Sequence, residues 1–113
     1  MLPAAHRLRR AGDFQRAVRR GQRRTSSTVV VHHLGAHHGG TALVGFAVGR
    51  SVGQAVVRNR VRRRLRHVMK EHLDALVPGL TVVRATSKAA FVPTPVLAAD
   101  LADCLRRLEA LRS

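Results

Sequence analysis

The chain has 113 residues, enough for a single domain over 1–113 with a thin margin of stability. Apolar residues make up 45% and aromatic ones only 3%, so its one core must be valine, leucine and alanine. Lys and Arg total 21 against 6 Asp and Glu, a formal charge of +15, and such self-repulsion calls for a polyanion: nucleic acid first, an anionic membrane second.

The membrane is the poorer fit, because no run approaches the roughly 20 apolar residues that span a bilayer. The opening "MLPAAHRLRRAGDF" is basic but has no apolar stretch behind it, unlike a secretory signal. Its arginine content loosely fits a transit peptide, yet the folded pattern begins too early for one. The lone cysteine, Cys104, leaves no intramolecular disulfide and suits a reducing compartment. The expected location is the cytoplasm.

In chain order, "DFQRAVRRG" sets Phe14, Ala17 and Val18 at helical spacing and stops at Gly21. The polar "QRRTSS" reads as a short edge strand or a loop. "STVVVHHL" is β-branched and reads as a strand, and "GAHHGG" turns the chain into "TALVGFAVG", so these two strands are expected to form a hairpin. From about Gln54 to His72 runs the main helix. At roughly 100° per residue, Val57, Val61, Leu65 and Val68 fall on one side, and Asn59, Arg63, Arg66 and Lys70 on the other. Arg58 and Arg62 occupy one flank, Arg60 and Arg64 the opposite one. After "VPG", "LTVVRA" is a third clear strand, and "TSKAAFVP" reads as a loop. "TPVLAADLADCLRRLEAL" closes the chain as a helix, with Thr94 as N-cap and Pro95 at its first position. Leu97, Leu101, Cys104 or Leu105, Leu108 and Leu111 form its inner stripe.

Metal and hydrolytic chemistry find little support in the residues. His32 and His33 are adjacent on a strand and point to opposite faces. His37 and His38 lie in a glycine-bounded turn without a Cys or carboxylate spaced to complete a site. His67 and His72 sit about 140° apart around a helix. The acidic residues Asp13, Glu71, Asp74, Asp100, Asp103 and Glu109 are scattered, whereas a metal nuclease needs several converging carboxylates. Cys104 reads as buried filler. "GFAVGRSVG" spaces its glycines wrongly for a Walker or dinucleotide-binding loop.

The basic helix remains. A solvated charged face would mix signs, yet no acidic residue occurs between Asp13 and Glu71. The excess is arginine, whose guanidinium fork suits phosphate contact and base stacking. Asn59 can donate and accept, so it suits a base edge, a 2′-hydroxyl or the orientation of neighbouring arginines.

"RNRVRRRLR", preceded by "GFAVGRSVGQAVV", closely resembles the arginine-rich signature of the bacterial ribonuclease P protein subunit. Arg58, Asn59, Arg60, Arg62, Arg63 and Arg66 fall on that pattern. The resemblance extends upstream through "RLRRAGDFQRAVRRG" and runs to roughly residue 85; the last helix matches in position and length. It implies an α+β fold, an α/β sandwich of order αβββαβα with a left-handed βαβ crossover around the arginine helix, against the usual right-handed rule.

The implied function is to assist a catalytic RNA that removes the 5′ leader from precursor tRNA. That RNA would carry the catalysis and its Mg²⁺, with no cofactor in the protein. The implied partners are the RNA subunit and precursor tRNA, with no membrane and no obligate protein partner. The RNA subunit would be met by Arg58, Asn59, Arg60, Arg62, Arg63, Arg66 and Lys70. The leader would enter a cleft lined by Phe14, Val18, Val30 and His32. Val18 and His32 depart from the aromatics usual at those places, which implies less stacking surface. Rival readings are a ribosomal or general RNA-binding protein, and a protein that compacts nucleic acid or coats a membrane by charge alone.

Overall fold

The computed structural model describes residues 2–36 and 40–112. His37 and His38, read above as turn residues, lie outside the described residues. Helix α1 (Ala11–Arg20) leads into strands β1 (Gln22–Thr25), β2 (Val29–Gly35) and β3 (Ala42–Ala47). Helix α2 (Ala55–Lys70), strand β4 (Gly79–Ala85) and helix α3 (Thr94–Arg107) follow. The order is the expected αβββαβα. "QRRTSS" resolves into β1, an exposed four-residue strand.

The expected hairpin does not form. The sheet runs β1-β2-β4-β3, so β4 lies between β2 and β3, antiparallel to the first and parallel to the second. Residue burial explains the order. Val82 and Val83 point to opposite faces of β4, and both are fully buried. A strand apolar on both faces belongs in the interior of a sheet, where helices cover it from either side. Since β3 and β4 are parallel, they need a long crossover, and α2 provides it.

The two faces are unequal. On one, α2 and α3 close over Val29, Val31, Val44 and Val83, with Val61, Leu65, Leu97, Leu101 and Leu105 from the helices all buried. Cys104 is buried there as expected. On the other, α1 covers only a small cluster of Leu8, Ala17 and Val82, with Phe14 packed against it. Ahead of α1, Leu8 N–H donates to the Val44 carbonyl at 3.0 Å, and Arg7 bridges Val44 in parallel. The N-terminal segment thus runs along the outer edge of β3, with Leu2 buried in the main core.

Gly21 ends α1 as its sequence suggests, but by close approach and not by a left-handed turn. Its φ is −74°, and a Cβ there would lie 2.4 Å from the Ala17 carbonyl oxygen and 2.8 Å from that of His33. Only glycine lets helix and strand meet so tightly. Thr94 is not the N-cap of α3. Pro93 precedes the helix, and the Thr94 hydroxyl instead accepts from Arg64 Nε at 3.0 Å. The "TSKAAFVP" segment contains a 3₁₀ turn over Ser87–Phe91. Asp100 is half-buried and accepts from the Thr28 hydroxyl at 2.6 Å.

His33 is buried on the α2–α3 side, its Nδ1 2.9 Å from Thr81 Oγ1. Burial holds its pKa below the ordinary 6.5. The folded chain therefore refuses a proton that the unfolded chain accepts below pH 6.5. This contribution to stability is complete above that pH and is lost as pH falls towards the lowered folded value. We predict that the melting temperature drops between pH 7.5 and pH 5, and that His33→Gln makes the drop shallower in parallel melting curves.

Candidate nucleic-acid interface

Helix α2 carries the signature on a well-seated apolar back. Val61, Leu65, Val68 and Met69 are buried and Val57 is half-buried. Met69 continues the stripe at i+4 from Leu65, a position the periodicity contains but the reading above passed over. Outward, Asn59, Arg60, Arg63 and Lys70 are exposed. Arg58, Arg62, Arg64 and Arg66 are half-buried on the two flanks, and Arg58 keeps its Nε buried without a protein acceptor.

The flanks differ in what they touch. On one, Asn59 Oδ1 accepts from Arg62 at 2.9 Å, so the asparagine orients a neighbouring arginine. Arg62 and Arg66 then line a cavity of about 520 Å³ together with Phe14, Phe46, Gly45 and Arg9. On the other, Arg64 donates to the Thr94 hydroxyl and the Val92 carbonyl. That arginine fastens α2 to the entry of α3.

No acidic side chain among the described residues pairs with this helix. Asp13 pairs with Arg16, and Asp103 with Arg106 and Arg107. The cationic face is therefore unneutralised by the protein, a state that favours counterions or phosphate.

The four cleft residues lie on the α1 side but are not equally open. Phe14 is half-buried, the tip of its ring so close to β3 that a Cβ at Gly45 would be 2.3 Å from Cζ. Val18, one turn on, is 38% exposed, and Val30 is half-buried. His32 is 1% exposed, with Nε2 3.5 Å from Arg84. Burial, then the Arg84 and Arg23 guanidinium charges, push its pKa below 6.5, so it is neutral at physiological pH. Arg84, not His32, is the exposed side chain of that part of the sheet. The sequence signals its place: it follows Val82 at the period of two, on the α1 face.

Phe46, Arg7 and Arg9 were also missed. They join the site only because the N-terminal segment runs beside β3, a pairing that no local pattern announces. Among the described residues no group of three His, Cys, Asp or Glu side chains is placed to hold a metal ion. No helix among them is long and apolar enough to cross a membrane.

Comparison with known proteins decides the family. The ribonuclease P family model matches residues 2–109. The chain is 49% identical to the ribonuclease P protein component of a Nocardioides species, covering 97% of both chains. It is 45% identical to that of Streptomyces bikiniensis over 96% of this chain and 95% of the other. The chain belongs to the ribonuclease P protein family. The fold agrees: the ribonuclease P protein of Staphylococcus aureus superposes with a TM-score of 0.86 at 24% identity, over 96% of this chain and 99% of that one. The protein from Thermotoga maritima gives 0.77 at 24% identity, over 89% and 96%.

The contact of Phe14 with β3 leaves no room for a side chain at position 45. Gly45→Ala should displace the Phe14 ring and cost about 1–3 kcal/mol, the usual range for overpacking. Denaturant unfolding of the two proteins side by side measures it.

Proposed function

We propose that the protein binds the RNA subunit of ribonuclease P through α2 and the 5′ leader of precursor tRNA through the cleft beside α1. The observation that carries this reading is the shared cavity. Arg62 and Arg66 of the signature helix and Phe14 of α1 line the same space, so a strand held by the cleft lies next to the cationic helix. Phosphates meet the guanidinium groups, while the Phe14 ring offers a face to an unstacked base.

The contribution of each residue follows from its exposure. Arg60, Arg63 and Lys70 are free to reach phosphates, and Arg62 is aimed by Asn59. Arg58 and Arg66 contact RNA from the flank. Val18 and Val30 supply apolar walls, while buried His32 supports the cleft floor. Arg84 adds a cation at the cleft rim.

Hydrolysis, with its Mg²⁺, belongs in this reading to the RNA. Three of the six acidic groups fit it: Asp13, Asp100 and Asp103 are engaged by Arg16, Thr28 and the Arg106–Arg107 pair. The buried single thiol fits a cytoplasmic setting.

Reconstitution tests the whole reading. Added to its cognate RNA at low Mg²⁺, the protein should restore leader cleavage from precursor tRNA, whereas RNA-free protein should cleave nothing. Affinity for the RNA subunit should fall steeply with salt as counterion release is lost. Arg63→Ala should weaken it by about 1–3 kcal/mol in a filter-binding titration. Unchanged affinity in Arg58→Ala, Arg63→Ala and Arg66→Ala alike would overturn the assignment.

Phe14→Leu separates leader from RNA-subunit binding. It should reduce affinity for leader-bearing precursor by about 1–3 kcal/mol. Affinity for mature tRNA and for the RNA subunit should hold. Equal losses for all three, together with a lower melting temperature, would make Phe14 a core residue only.

A further inference from the structure

Phe91 is 85% exposed, the most exposed large apolar side chain among the described residues. Exposed aromatics usually sit on mobile loops, but this one is fixed from both sides. Upstream, the Thr86 hydroxyl donates to the Ser27 carbonyl at 2.7 Å and accepts from Lys88 N–H, and Ala89 is fully buried. Downstream, Arg64 of α2 holds the Val92 carbonyl and the Thr94 hydroxyl, next to two prolines that stiffen the backbone. The backbone that carries the ring is therefore held on both sides while the ring itself stands in water.

The surroundings say what chemistry that partner has. Val56, 78% exposed, shares a ridge of α2 at i, i+4, i+8 with Arg60 and Arg64, and Lys88 lies three residues before Phe91. No acidic residue occurs between Asp74 and Asp100 or between Asp13 and Glu71. The rim of the ring is thus cationic throughout and suits a polyanion. A nucleobase on a phosphate backbone meets a ring for its face and cations for its charge.

Building on the proposed RNA-binding role of α2, we propose that Phe91 stacks on an unstacked nucleobase of the RNA subunit. The α2 face then has an aromatic at each flank: Phe14 beside Arg62 and Arg66 for the leader, Phe91 beside Arg64 for the RNA subunit. Arg64 is a positioning residue in this arrangement, presenting the ring.

The chain contains no Trp and no Tyr, so Phe91→Trp introduces a single reporter. Its emission should be quenched when the RNA subunit saturates the protein, at wild-type affinity. Phe91→Ala and Phe91→Leu should weaken RNA-subunit binding about 5- to 150-fold, with melting temperature and leader discrimination unchanged. Wild-type affinity in Phe91→Leu would reduce the ring to a generic apolar contact and overturn stacking. Wild-type affinity in Phe91→Ala, or tryptophan emission indifferent to RNA, would overturn the site itself. A Phe91→Ala effect on self-association in place of RNA binding would do the same. Arg63→Ala, run alongside, separates the failures: if it weakens binding while Phe91→Ala does not, only this inference falls. If neither does, the RNA-binding role of α2 falls first.

Discussion

Like-charge repulsion along α2 is the constraint that the rest of the fold must meet. Arginines at 58, 62 and 66, and at 60 and 64, stand one turn apart, and each such pair costs a few tenths of a kcal/mol on an isolated helix. No carboxylate among the described residues relieves them. What holds the helix is its back. Val61, Leu65, Val68 and Met69 are buried, and each buried side chain of that size contributes about 1.5–3 kcal/mol. Burial exceeds repulsion several-fold, so the cationic face can remain unpaired. The main core therefore lies on the α2–α3 side of the sheet, and the α1 side stays thin.

That thinness is what leaves room for a cleft. Among the described residues, Leu8, Ala17 and Val82 alone are the buried apolar members of the α1 cluster, and the Phe14 ring is accommodated because position 45 has no side chain. A fuller core under α1 would have closed the space that Phe14 shares with Arg62 and Arg66. The signature arginines also divide their work. Arg60 and Arg63 face solvent, Arg62 is oriented by Asn59, and Arg64 fastens α2 to the start of α3.

Periodicity made the elements and the polarity of α2 legible, because burial of Val61, Leu65 and Val68 follows directly from their spacing. Strand partners were not legible. The β2 and β3 segments both look like hairpin arms, and only the double burial of Val82 and Val83 places β4 between them. Thr94 was misjudged for a related reason. Local sequence makes it a helix cap, but Arg64 arrives from 30 residues away and takes its hydroxyl. The arginine signature was readable because all of its residues lie on one helix. The cavity was not, because it is assembled from the N-terminal segment, α1, β3 and α2.

The two margins of the sheet are closed by unlike means. Along β3 the N-terminal segment takes the place of a further strand through Leu8 and Arg7. At β1 the carbonyls of Arg23, Arg24 and Thr25 receive side-chain donors from Arg24, Cys104 and Arg107. The strand itself is short and carries two arginines. Open sheet margins are templates for edge-to-edge association, and charge, brevity and occupied backbone groups discourage it. Among the described residues, neither margin of the sheet is thereby left as an open template for a second copy of the chain.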